Sequence, residues 1–181
     1  GKSLIIYALV RWHLLKERSI LIIVPTVSLV EQLHKDFQDY GWHAKDVYKI
    51  MGGVEKYTDE SVVISTWQSI YKEPKRFFER FDVIIGDEAH QYKAKSLTGI
   101  LTKCMDAKYR IGLTGTLDGM EAHQLVLEGL FGRVDRVTKT SDLMKKGHLT
   151  PLKVRIVLLR PGWVPFDHYQ QDKEYLCKHT R

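Results

Sequence analysis

Continuous apolar runs alternate along the chain with segments in which apolar positions recur every three or four residues. Residues 19–24 carry Ile20, Leu21, Ile22, Ile23 and Val24 without a break, 62–64 carry Val62, Val63 and Ile64, and 83–85 carry Val83, Ile84 and Ile85. Unbroken runs of this kind fit strands covered on both faces, as in a parallel sheet, whereas a half-exposed strand alternates. Further strands are predicted over 47–51, 109–113 and 134–137, and a last one over 152–159, where Val154, Ile156 and Leu158 alternate with Lys153, Arg155 and Val157. Helical spacing joins Leu4, Ile5, Ala8, Leu9 and Trp12, then Leu29, Leu33 and Phe37, then Leu97, Ile100, Leu101 and Cys104. Thr26 is placed to cap the second of these helices and Gly41 to close it. Shorter helices are predicted over 74–80, 120–130 and 142–146, the last stopped by Gly147. Strands alternating with helices predict an α/β fold, a parallel sheet with helices on both faces. Pro161, Gly162 and Pro165 put the domain edge near 160, leaving 161–181 as a linker.

Composition narrows the class. A chain of 181 residues, 44% hydrophobic and 28% charged, suits one sizeable globular domain. No run approaches the roughly 20 apolar residues of a membrane helix, and residues 4–10 lack the basic leader and cleavage site of a signal peptide. Cys104 and Cys177 lie far apart, and none of the eight histidines forms a zinc pattern with a cysteine pair. A reduced, cytoplasmic setting follows as the simplest expectation. The excess of 28 basic over 22 acidic residues, net +6, fits a polyanionic partner and equally an ordinary basic surface. With Gly1 first and a polar run last, the chain is expected to be a piece of a longer protein.

The candidate chemistry centres on residues 81–90, Phe-Asp-Val-Ile-Ile-Gly-Asp-Glu-Ala-His. Asp87 and Glu88 follow a buried run directly, at the carboxyl end of a strand, where open α/β sheets bind ligands. Two unpartnered carboxylates there would cost several kcal/mol, about enough to demand a cation or polar ligand. Asp87 suits the hydrated shell of a magnesium ion and Glu88 the orientation of an attacking water. Capping of a following helix is the competing reading. Gly1-Lys2-Ser3 opens a predicted helix and has the form of the second half of a phosphate-binding loop, whose earlier glycine would stand before Gly1. In that form Lys2 reaches the β and γ phosphates and the Ser3 hydroxyl ligates magnesium at the positive end of a helix. A chance turn is the alternative.

Together with Pro25-Thr26 and Thr114-Gly115-Thr116 at other predicted strand ends, these words resemble the first motor domain of a superfamily 2 helicase or translocase. Gly1-Lys2-Ser3 resembles the end of motif I, the stretch from Pro25 to Gln32 motif Ia, and Gly52-Gly53 the glycine pair of motif Ib. Thr66-Trp67-Gln68-Ser69 resembles motif Ic, Asp87-Glu88-Ala89-His90 motif II, and Thr114-Gly115-Thr116 motif III. The longer words Gly112 to Leu117 and Leu130-Phe131-Gly132 look most like phage recombination DNA helicases of the UvsW type.

The resemblance covers about residues 1–160 and implies a RecA-like P-loop NTPase domain that uses ATP and magnesium. It makes Glu88, Lys2 and His90 catalytic, Gly1, Lys2, Ser3 and Asp87 nucleotide-binding, and Ser3 and Asp87 the metal ligands. It makes Thr114, Gly115 and Thr116 coupling residues, and Thr26, Gly52, Gly53 and Thr66 contacts to a nucleic-acid backbone. DNA is favoured over RNA, a second RecA-like domain of the same chain is the expected partner, and no membrane is involved. Plainer readings stand beside these: Thr26 as a helix cap, Gly52-Gly53 as a hairpin turn, Thr114 and Thr116 as a turn, and Trp67 as a buried aromatic. The rival functions are a restriction-enzyme motor subunit, an RNA helicase, a nucleic-acid module with a lapsed ATPase, and a nucleotide kinase. Without a second motor domain and its arginine finger, the isolated chain is expected to hydrolyse almost no ATP.

Overall fold

A computed structural model of the chain describes residues 1–43, 46–93, 95–115, 121–135, 140–148 and 150. The elements run α1 (Lys2–Leu14), β1 (Ile20–Val24), α2 (Val27–Asp39), β2 (Tyr48–Ile50), β3 (Val62–Thr66), α3 (Trp67–Ile70) and α4 (Lys75–Phe78). There follow β4 (Val83–Asp87), a 3-10 helix (Ala89–Lys93), α5 (Lys95–Lys103), β5 (Tyr109–Leu113), α6 (Glu121–Phe131) and α7 (Thr140–Lys145). The chain divides into two compact units, 1–135 and 136–181. In the second, the described residues carry α7, with Gly147 at φ +74° just beyond it.

The first unit is built on a five-stranded sheet in the order β2-β3-β1-β4-β5. Every pairing in it is parallel, with Ile20 opposite Val62 and Val83, and Val83 opposite Tyr109. Because strand side chains alternate, the unbroken run of β1 feeds two cores. Leu21 and Ile23 join Val63, Ile84, Ile70, Phe77, Phe78, Ile100 and Leu101 on one face. Ile20, Ile22 and Val24 join Val62, Ile85, Ile6, Val10, Val30, Leu33 and Phe37 on the other. Helices α1 and α2 therefore cover one face and α3 to α6 the other, as the continuous apolar runs required. At the edges the burial falls off, and all of β5 is half-buried where β1, β3 and β4 are fully buried.

Helix α2 starts and stops where its sequence signals say. The Thr26 hydroxyl accepts a hydrogen bond from the Leu29 N–H at 3.3 Å, and Gly41 adopts φ +89° while the Trp42 N–H reaches back to the Phe37 carbonyl at 3.0 Å. Helix α1 departs from expectation. Leu4, Ile5 and Trp12 are 53%, 49% and 51% exposed, and the buried residues are Ile6, Val10 and His13. The helix is apolar nearly all round, so periodicity alone does not select the face that meets the sheet. The glycine pair at 52 and 53 also departs from one reading: β2 and β3 run parallel, which excludes a hairpin, and Gly53 at φ +81° serves a turn into a longer connection. The helix predicted over 74–80 is shorter, Pro74 preceding it and Phe78 ending it. At 134 and 135 the expected strand meets residues without regular structure. The rest of that strand, the one over 152–159, the domain edge near 160 and Thr116 lie outside the described residues.

Candidate active site

The carboxyl ends of the parallel strands and the amino end of α1 meet at Lys2. Its ammonium lies 3.4 Å from Asp87 Oδ1 and donates a hydrogen bond to Glu88 Oε1. Adjacent residues of an extended strand project to opposite faces, yet both carboxylates reach one lysine. The backbone at Glu88 makes this possible: φ is +50°, a left-handed conformation that costs a non-glycine residue about 1–2 kcal/mol and is found where the surroundings impose it. The second carboxylate oxygen of Glu88 faces His90 Nδ1 at 3.4 Å, and the same nitrogen lies 2.8 Å from the Thr114 hydroxyl. Motif II is thereby joined to the end of β5. The partners of Glu88 are Lys2 and His90, so this carboxylate does not cap the turn that follows.

Electrostatics leave the site short of positive charge. Asp87 is 8% exposed, and its Oδ1 is a buried side-chain oxygen with no hydrogen-bond partner among the described residues. Burial pulls the Lys2 ammonium down, but the hydrogen bond to Glu88 and the charges of Asp87 and Glu88 outweigh it and hold Lys2 above the usual lysine value. Gly1, Lys2, Ser3, Asp87 and Glu88 line a cleft of about 210 Å³ together with Leu29, Gln32, Leu33 and Asp36 of α2. Ser3 is in this cleft, and its hydroxyl is 3.1 Å from that of Tyr40. The larger cleft, about 440 Å³, lies by the amino end of β3 and is lined by Arg11, Trp42, Glu60 and Ser61. It carries neither a helix amino terminus nor the convergent lysine and carboxylates, so the smaller cleft is the candidate site.

The remaining candidates sit on neighbouring loops of the same sheet end. Thr66 is 3% exposed and its hydroxyl pairs with Ser69 at 2.9 Å, while Gln68 donates to the Pro25 carbonyl at 3.2 Å and ties this loop to the start of α2. Trp67 packs partly buried against the core, as the plainer reading had it. Gly52, Gly53 and Gly115 are exposed. Sequence reasoning missed Asp36 and Tyr40, for which the sole sequence signal is their position beside the Leu29, Leu33 and Phe37 stripe, and it placed Gln32 only as the end of the Pro25–Gln32 word, with no role in the cleft it lines.

Comparison with known proteins decides the family. Residues 1–119 match the family model described as type III restriction enzyme, res subunit. The chain belongs to this family. It is a RecA-like motor domain of the superfamily 2 helicases. It is 37% identical over 166 residues to the ATP-dependent DNA helicase uvsW of Enterobacteria phage T4, covering 88% of this chain and 33% of that protein. A second relative, the probable helicase D10 of Escherichia phage T5, is 31% identical over 46% of this chain and 18% of its own length. The chain thus spans a third or less of these relatives. Among solved structures, the UvsW helicase from bacteriophage T4 superposes with a TM-score of 0.65 at 39% identity, over 73% of this chain and 49% of that one. The Hef helicase domain of Pyrococcus furiosus has a TM-score of 0.64 at 21% identity, over 73% and 31%, and shares the fold. The superfamily 2 motor domain accounts for the parallel α/β sheet.

Proposed function

We propose that this chain is the amino-proximal ATP-binding domain of an ATP-driven DNA motor, a helicase or branch-migrating translocase. The observation that carries the reading is the meeting of Lys2, from the amino end of α1, with Asp87 and Glu88 at the end of β4. A helix terminus and a lysine bind phosphate, and a carboxylate at hydrogen-bonding range orients water. In the proposed reaction Lys2 exchanges its carboxylate partners for the β and γ phosphates, which frees Glu88 to align a water in line with the γ phosphorus. Glu88 then takes up the water proton as the water oxygen bonds to the γ phosphorus and the bond from that phosphorus to the β–γ bridging oxygen breaks, with ADP leaving, and His90, between Glu88 and Thr114, would pass the change at the γ phosphate to the loop that follows β5. Magnesium fits the residues present: the Oδ1 of Asp87 is buried with no hydrogen-bond partner among the described residues and faces the Lys2 ammonium at 3.4 Å, a place a metal ion could take once Lys2 turns to phosphate, and the Ser3 hydroxyl lines the same cleft. These two would hold the ion, which supplies charge neutralisation to the phosphates when bound.

Thr26, Gly52, Gly53 and Thr66 flank the strand ends, where contacts to a sugar-phosphate backbone by hydroxyls and N–H groups would suit their chemistry, although the Thr66 hydroxyl is buried against Ser69 and would have to leave it to take part. DNA is favoured over RNA by the DNA helicase among the relatives. The expected setting is the reducing cytoplasm. Cys104 suits it as a buried thiol, its pKa pushed up to about 12 by burial, and among the described residues no helix is long and apolar enough to cross a membrane. A cleft of about 210 Å³ is small beside the 300 Å³ or more that ligand pockets typically enclose. A second RecA-like domain is therefore the partner that would complete the nucleotide site, and the 181-residue chain alone should turn over almost no ATP.

The test is steady-state hydrolysis by the full-length protein with forked DNA or RNA. Glu88→Gln should lower kcat by at least about 100-fold while nucleotide binding persists, and Lys2→Ala should abolish binding. DNA should stimulate better than RNA. Retained turnover in Glu88→Gln would refute the assignment. The family description favours one alternative, a restriction-enzyme motor subunit, for which ATP-dependent cleavage of DNA bearing a recognition sequence would be the sign.

A further inference from the structure

Beyond the residues that line the cleft, the chain that carries Glu88 and His90 is fastened from behind. Gly86 and Gly112 are opposite each other on β4 and β5, and both positions are filled by rings from elsewhere. A Cβ on Gly86 would come within 2.9 Å of Tyr92 Cζ, 3.0 Å of the Tyr92 hydroxyl and 3.0 Å of Phe131 Cζ. A Cβ on Gly112 would come within 2.9 Å of Phe131 Cγ and 3.0 Å of the Ala89 Cβ. Two adjacent strands thus omit side chains at one register position, and the space is taken by Tyr92 from the 3-10 helix Ala89–Lys93 and Phe131 from the end of α6. The two rings meet edge to face with centroids 5.2 Å apart.

Tyr92 does more than fill space. It is 2% exposed, and its hydroxyl donates to the Ile23 carbonyl at 3.2 Å. Ile23 is the residue at which the β1–β4 pairing ends, opposite Gly86, just before β1 runs out into Pro25 and Thr26. The segment between Asp87 and Tyr92 therefore leaves the sheet at one point and is pinned to it again at another. Glu88 and His90 lie between these two fixed points. A residue held at φ +50°, as Glu88 is, needs such support, since strained backbone persists only where its surroundings over-determine it. Burial first, and the Asp87 charge second, push the Tyr92 phenol well above its ordinary range, in keeping with its hydroxyl acting as a donor to Ile23.

We propose that Tyr92 is a positioning residue for hydrolysis: its ring in the Gly86–Gly112 seat and its hydroxyl on Ile23 hold Glu88 and His90 in register with the phosphate side of the cleft. The inference rests on Glu88 orienting the attacking water, and it ties that residue to the strand that leads into motif Ia. Tyr92 is buried and does not line the cleft, so its loss should appear in kcat and leave nucleotide affinity alone.

The experiment is a Tyr92→Phe and Tyr92→Leu series in the full-length protein, with DNA-stimulated kcat expressed per nucleotide bound at saturation. Phe keeps the ring and loses the hydroxyl; kcat should fall about fivefold to tenfold, the size expected for losing one buried hydrogen bond from the positioned state, with KM for ATP within about twofold. Leu should fall further, and Phe should therefore restore part of the loss. Glu88→Gln runs beside them. If Glu88→Gln remains active, the reading of the cleft fails and this inference with it. If Glu88→Gln is inactive while Tyr92→Phe matches the parent in kcat, or alters KM alone, or loses activity only in proportion to lost nucleotide-binding sites, the positioning role is overturned and the cleft assignment stands.

Discussion

At the scale of single residues, the ionisable groups divide into those drawn into the cleft and those shut into the fold. His13 belongs to the second kind: it is 1% exposed on α1, with Arg18 donating to its Nδ1 at 3.1 Å and the Tyr109 ring 4.9 Å away. Burial first, and the Arg18 charge second, push its pKa below the ordinary value of 6.5. The folded protein thus holds His13 neutral in a range where the unfolded chain already binds a proton. Where the unfolded state carries more protons, stability rises with pH, so acidification from 6.5 toward the lowered value should weaken the fold. Urea midpoints compared between pH 7 and pH 5 should fall more steeply in the parent than in His13→Gln. Equal slopes would show that His13 does not titrate as its surroundings demand. The same scale shows what sequence could and could not disclose about the site. Lys2, Asp87, Glu88 and His90 stand in short words whose chemistry can be named, and they converge. Tyr92, Tyr40 and Asp36 are ordinary residues in sequence, and their relevance arises only from which cavity or carbonyl the fold brings to them.

At the scale of elements, continuous apolar runs identified β1, β3 and β4 because a strand covered on both faces has no polar side to interrupt it. Thr26 and Gly41 marked α2 because a cap and a left-handed exit have strict local chemistry. The face of α1 was not legible, since Leu4, Ile5, Ala8, Leu9 and Trp12 make as good a stripe as Ile6, Val10 and Leu14. The weight of these faces can be measured on adjacent residues. Ile6 is 1% exposed and Ile5 49%, so Ile6→Ala should cost about 2–4 kcal/mol through lost burial and a cavity, while Ile5→Ala should stay within about 0.5 kcal/mol. Comparable losses for the two, measured by urea unfolding, would mean that the outer stripe of α1 is also packed.

At the scale of the whole chain, the cleft must be judged as a partial site. The proposed phosphate site draws on the amino end of α1, Lys2 and Asp87, all of which belong to the first unit. A cleft of about 210 Å³ has room for the phosphate end of a nucleotide more readily than for all of it. Affinity should accordingly be weak, with a dissociation constant on the order of 1 mM, near the weak end of specific binding. A ligand that binds only the folded state stabilises it by RT ln(1 + [L]/Kd); at about 5 mM ATP with magnesium, this is about 1 kcal/mol. For a chain of this length that corresponds to a rise in Tm of roughly 2–4 °C. Lys2→Ala should erase the rise, because it removes the positive charge that competes for phosphate. Chelating the metal should reduce it, because Asp87 and Glu88 then face the phosphates unscreened. A rise well above 8 °C would imply that the first unit already encloses a complete nucleotide site. An unchanged rise in Lys2→Ala would mean that ATP binds elsewhere and that the convergence of Lys2 with Asp87 serves the fold alone.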